Sequence, residues 1–99
     1  MAKLDQKRPS QTLYENVLKL TTVEECRCFF QDLCSLSEVR ALEQRFDVAV
    51  LLSQGKIYNE IVARTGASSA TISRVSRMLS SGTGVLRGIA GEIPEDETT

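Results

Sequence analysis

Histidine is absent from this chain of 99 residues. That one absence removes His-based triads, imidazole general bases and imidazole metal ligands together. Cysteine is scarce and odd in number: Cys26, Cys28 and Cys34 form no Cys-x-x-Cys pair, so neither a disulfide framework nor a zinc site is expected. Cys26 and Cys28, two apart in a helical stretch, point to different faces, and all three read as reduced, mostly buried thiols. No run of about 19 apolar residues occurs, which excludes a membrane-spanning helix. Lys3, Lys7 and Arg8 have no apolar run behind them, so a secretory signal is not expected and the expected location is cytoplasmic. A phosphate-cradling glycine loop and a cluster of metal ligands are also missing. No catalytic constellation, metal site or cofactor is therefore expected, and the chain does not read as an enzyme.

Apolar residues make up 41% and charged residues 25%, an ordinary globular mixture at a length that favours one domain. A 10.9 kDa chain buries only a modest share of its surface, which makes self-association an early expectation. The net charge of −1 conceals a gradient. Between residues 56 and 91, Lys56, Arg64, Arg74, Arg77 and Arg87 face Glu60 alone, a local charge of +4; Glu92, Glu95, Asp96 and Glu97 follow, a local −4. A basic segment followed by an acidic one fits a chain that meets phosphate, although a solvated helix face and a loose end would give the same pattern.

Apolar periodicity is helical throughout, and no segment alternates with period two. Past a stop at Pro9-Ser10, Leu13, Tyr14, Val17 and Leu18 mark a first helix. Thr22-Val23-Glu24-Glu25 is a capping box that opens a second, with the stripe Cys26, Phe29, Phe30 and Leu33. Ser35-Leu36-Ser37-Glu38 is another capping box. It opens a long helix in which Val39, Leu42, Phe46, Ala49, Val50 and Leu52 face inward, and Gly55 ends it. Two short helices follow, about Tyr58 to Thr65 and about Ser69 to Leu79, the latter capped by Ser68. Gly82, Gly84, Gly88 and Gly91 disfavour a further long helix, and Pro94 with the acidic end reads as a loose tail. The expected architecture is all-α, with about five helices: a helical dimerisation core at 11–55, a helix-turn-helix at 57–80 and an acidic flexible tail at 92–99, in one domain spanning 1–99.

The stretch Glu60 to Val75 carries the functional signal. Two short helices are joined by a turn holding Gly66, which accepts the left-handed backbone that a sharp change of direction needs. Ile61, Ile72 and Val75 fall where such a pair packs together. Ser68, Ser69, Thr71 and Ser73 are small and polar, which suits a helix lying deep in a major groove. Arg74 and Arg77 are placed to meet phosphates or bases. Val62, four before Gly66, replaces the usual small residue and predicts a slight splaying or a repacking of the pair. Lys56, Asn59, Ser68, Ser69, Ala70, Thr71, Ser73, Arg74 and Arg77 are the candidate DNA-contacting residues.

With Ala41-Leu42-Glu43-Gln44-Arg45 in the long helix and Ala70-Thr71-Ile72-Ser73-Arg74 in the second short one, the sequence resembles the tryptophan repressor superfamily over about residues 12–90. It looks closest to the short branch called YerC/YecD-like. The resemblance implies an all-α, intertwined homodimer presenting two recognition helices to successive major grooves of double-stranded DNA. It also implies a ligand pocket. Arg45 and Arg74 match the two arginines that sandwich the repressor's indole, and Thr71 matches a threonine beside it. Met78 stands where the repressor has a serine that holds the ligand, and Val75 where it has a glycine. Asn59 and Val62 stand where its first helix bears basic DNA contacts. Those departures predict DNA binding that ignores free tryptophan. Arg45 also has ion-pair options in Glu43, Asp47 or a partner subunit, and Tyr14, Phe29, Phe30 and Phe46 read as core or dimer interface. Beside the regulator stands a protein-protein interaction module without DNA binding; salt-dependent binding to duplex separates the two.

Overall fold

The computed structural model describes residues Ser10 to Glu95. The basic residues Lys3, Lys7 and Arg8, the stop at Pro9, and Asp96 and Glu97 lie outside that range. Among the described residues there are six helices and no strand: α1 (Gln11–Val17), α2 (Val23–Leu33), α3 (Leu36–Ser53), α4 (Tyr58–Thr65), α5 (Ser69–Ser81) and α6 (Val85–Gly91). No helix is long and apolar enough to cross a membrane among these residues. The chain divides into two compact units, one up to Leu36 and one from Ser37 onward.

The first unit is locally well specified but has no core among its described residues. At the start of α2 the Thr22 side chain accepts from the Glu25 backbone N–H at 3.0 Å. The Glu25 carboxylate reaches back to Thr21, accepting from its N–H at 2.9 Å and its hydroxyl at 3.0 Å, one residue further than the simplest capping box requires. Those Thr21 bonds hold the Glu25 carboxyl below its ordinary range. Phe29 and Phe30 meet edge to face at 5.3 Å between centroids. No residue of α1 or α2 is buried. Leu18 is 84% exposed, Val23 75% and Leu33 58%. The cysteines share that exposure, contrary to the expectation of buried thiols: Cys26 and Cys28 are exposed and Cys34 is half-buried.

The second unit holds the core. Val48, Ala49, Val50 and Leu51 form a fully buried turn of α3, joined by Ile61, Ala67, Ile72, Val75 and Ala90. Four consecutive buried residues mean that this turn is surrounded on every side, which a one-faced stripe does not anticipate. The inward set read from periodicity is accordingly corrected. Ala49 and Val50 are core, Phe46 and Leu52 pack at its edge, Val39 is half-buried, and Leu42 is 43% exposed.

The sixth helix is the other departure from the expected five. Gly84 starts α6 in the left-handed conformation with φ 99°. The helix persists through Gly88 because Leu86, Ala90 and the following Ile93 pack on the core, and that burial outweighs the cost of glycine. The segment after α6 is also held. Gln54 Nε2 donates to the carbonyls of Ile93 at 3.4 Å and Pro94 at 3.3 Å, and Lys56 Nζ lies 3.4 Å from the Glu95 carboxylate. Glu92 to Glu95 are therefore docked, not loose as their composition suggested.

Candidate nucleic-acid interface

Helix α4, the turn at Gly66 to Ser68, and α5 make the helix-turn-helix. Gly66 ends α4 at φ 72°, ψ 5°, and its N–H returns to the Val62 carbonyl at 2.8 Å. A Cβ there would meet no neighbouring atom, so the backbone angle and not crowding is what asks for glycine. Thr65 reinforces the same turn: its hydroxyl donates to the Ile61 carbonyl at 2.7 Å and accepts from the Ala67 N–H at 3.1 Å. From α3, Gln44 Nε2 donates to the Thr65 carbonyl at 3.1 Å, which satisfies a group that the helix end leaves open. Ser68 then caps α5, accepting from the Thr71 N–H at 3.1 Å.

The two faces of α5 follow from its period. Ile72, Val75 and Leu79 point to the core, with Ile72 and Val75 at 0% exposure. Ala70, Arg74 and Arg77 form the opposite stripe, and all three are exposed. Ser69 and Ser73 flank it on one side, with the Tyr58 hydroxyl 3.5 Å from that of Ser73; Thr71 and Met78 flank it on the other. Ser68 and Asn59 are also exposed. Lys56 has only 22% of its side chain exposed and is paired with Glu95. Val62 points outward at 42% exposure, so it does not splay the helix pair; Ile61, fully buried, is the α4 residue at the contact.

Arg45 is exposed on α3 and makes no ion pair among the described residues, while Met78 is 37% exposed. A groove of about 500 Å³ is lined by Phe46, Asp47, Val50, Ile89, Glu92, Ile93 and Pro94. Another of about 460 Å³ is lined by Leu52, Ser53, Ser76, Leu79, Ser80, Arg87 and Gly91. Neither takes a wall from Arg45, Thr71, Arg74 or Met78. Sequence reasoning passed over Gln44, Thr65, Tyr58 and Gln54. A threonine directly before the turn glycine was a readable signal; two glutamines whose partners lie 21 and 39 residues away were not.

The family model of the Trp repressor protein matches residues 9–89 of this sequence. The chain belongs to the Trp repressor family. The uncharacterized protein YerC of Bacillus subtilis (strain 168) is 43% identical over 86 residues, which covers 87% of this chain and 83% of that protein. A candidate Trp repressor from Staphylococcus aureus superposes with a TM-score of 0.75 at 44% identity, over 79% of this chain and 78% of the other. A TrpR-like protein from Eubacterium eligens ATCC 27750 gives 0.77 at 39% identity, over 80% and 81%. The all-α fold expected from the sequence is thus that of the Trp repressor family, and the resemblance drawn from the long helix and from α5 is borne out over residues 9–89.

Proposed function

We propose that this Trp repressor family member is a transcriptional regulator that binds double-stranded DNA in the major groove as a homodimer. The carrying observation is the division of α5. Ile72 and Val75 are wholly buried, while Ala70, Arg74 and Arg77 form an exposed stripe free of acidic side chains. A groove-reading helix needs that arrangement: a small residue where the helix sits deepest, and guanidinium groups that reach phosphates or guanine edges. Ser68, Ser69, Thr71, Ser73 and Asn59 supply hydroxyl and amide contacts around it. The exposed apolar side chains of α2 and of Leu18, just past α1, support the homodimer, because Leu18, Val23 and Leu33 are large groups that a second copy would cover. A regulator of this kind works where the DNA is, in the cytoplasm.

Titration of a duplex at several salt concentrations tests the reading. If each subunit neutralises about three phosphates, the slope of log K against log salt is near −5 for the dimer, and Arg74→Ala or Arg77→Ala makes it shallower by about one per subunit. Binding that ignores salt, or no binding to any duplex, overturns it. Selection of bound oligonucleotides from a random pool then gives the operator.

The same reading holds tryptophan at arm's length. Arg45 and Arg74 remain available to flank a flat ring. Met78 offers no strong hydrogen bond to a zwitterion, and Val75 adds volume on the same helix. Losing buried hydrogen bonds at roughly 1–3 kcal/mol each weakens binding by about two orders of magnitude or more. Calorimetry is expected to show no micromolar affinity for tryptophan, and operator binding is expected not to change on adding it.

A further inference from the structure

Lys56 opens the basic segment and stands two residues before α4, and only 22% of its side chain is exposed. Its backbone N–H bonds to the Leu51 carbonyl at 3.1 Å, so the residue is fixed at the entrance to the helix-turn-helix. Its ammonium lies 3.4 Å from the Glu95 carboxylate, which reaches it across 39 residues of chain. That carboxylate is delivered. Ile93 packs against the core, and Gln54, two residues before Lys56, donates to the carbonyls of Ile93 and Pro94. Three contacts of different kinds thus seat an acidic segment on one cation of the candidate interface.

We infer that Glu95, carried by the docked segment Glu92 to Glu95, is an intramolecular rival of DNA phosphate for Lys56, lowering the affinity of the helix-turn-helix until a duplex displaces it. The inference rests on the DNA-binding reading above and adds regulation to it. A carboxylate and a phosphate oxygen are both acceptors for the same ammonium, and one lysine cannot serve both at full strength. The Glu95 carboxylate is 63% exposed, so the pair is weak enough to exchange at ordinary salt. The docked backbone of Ile93 and Pro94 keeps the carboxylate near its target after it lets go, which raises its effective concentration against the incoming phosphate.

Fluorescence anisotropy with a labelled random-sequence duplex of about three helical turns tests this on the full chain. Glu95→Gln removes the charge and keeps the shape. It is expected to tighten binding about two- to fivefold per subunit at low salt, the equivalent of one exposed ion pair, and to steepen the salt slope by about one per subunit. Lys56→Gln is expected to weaken binding and to abolish the gain from Glu95→Gln when the two are combined. Wild-type binding that Glu95→Gln leaves unchanged overturns the inference while leaving the DNA reading intact. So does an equal gain in the Lys56→Gln background, because that marks a general charge effect instead of a pair. If neither the wild-type chain nor Glu95→Gln binds any duplex, the DNA-binding reading itself falls and the inference falls with it.

Discussion

Residues 10–36 and residues 37–95 are both built from amphipathic helices, yet only the second stretch buries any side chain. In the second, α4, α5 and α6 supply the residues that enclose one turn of α3, and the side chains at the centre have no exposure left. In the first, capping and ring stacking specify where α2 begins and how Phe29 meets Phe30, but nothing among the described residues covers Leu18, Val23 or Leu33. Local helix signals and a packed core are therefore separable achievements of a sequence. In the proposed homodimer the helices of the first stretch owe their tertiary stability to association, since short isolated helices are marginal in water. The second stretch owes its stability to its own interior.

The sharpest way to break that contrast is to damage the interior. Ile72→Ala removes most of a fully buried side chain from the contact between α5 and the core. The expected loss is about 2–5 kcal/mol, a large part of the stability of a domain this size. Urea denaturation followed by circular dichroism measures it, and a loss well under ~1 kcal/mol would show that the second unit is not organised around this residue. In the first unit the comparison predicts a different response. Val23→Asp combined with Leu33→Asp alters only exposed positions. It is expected to reduce the mass seen by light scattering from twice 10.9 kDa to 10.9 kDa, while leaving the unfolding of the second unit in place. A wild-type chain that scatters as a monomer at micromolar concentration would leave the uncovered stripes with no second copy to cover them.

A smaller effect probes the edge of the core. Gly88 lies within α6, its φ is not in the left-handed range, and an added Cβ there would meet nothing within 4 Å. Gly88→Ala is expected to stabilise the second unit by about 0.4–1 kcal/mol, chiefly by restricting the unfolded chain. Gly84→Ala is expected to destabilise it instead, because that residue sits at φ 99°. Thermal unfolding of the two variants side by side distinguishes them by the sign of the shift.

Much of the second unit is legible in its sequence, for identifiable reasons, and so is the start of α2. The Thr22 and Ser68 caps, the turn at Gly66 and the packing trio Ile61, Ile72 and Val75 are each specified within a few residues of sequence. What periodicity misses depends on residues far apart in the chain. Val48 and Leu51 are buried because α3 is enclosed from several sides, and α6 forms because the core accepts Leu86 and Ala90 despite two glycines. The docking of Glu92 to Glu95 needs Gln54 and Lys56, some 40 residues earlier. The buried and exposed faces of α5 are legible because one helix carries them; the covering of Lys56 is not.

The finest test uses one carboxylate from each region, because the two are displaced in opposite directions. Asp47, on α3, is raised above its ordinary value of 3.8, first by partial desolvation and then by Glu43 one turn earlier. Its charged form is therefore disfavoured by folding. The penalty is absent below pH 3.8 and fully present once the pH has risen past the raised value. Glu25, at the start of α2, is lowered below its ordinary value of 4.5 by the Thr21 bonds, so its contribution is present above that value and is lost as the pH falls through the lowered one. Asp47→Asn is expected to raise the melting temperature slightly at neutral pH and to leave it unchanged at about pH 3, below its unfolded value. Glu25→Gln is expected to do the reverse in sign, reducing helicity at neutral pH and changing little in strong acid. Melts of both variants across that range place the opposing signs in the two regions. A shared sign would show that net charge, and not these local partners, sets the response to acid.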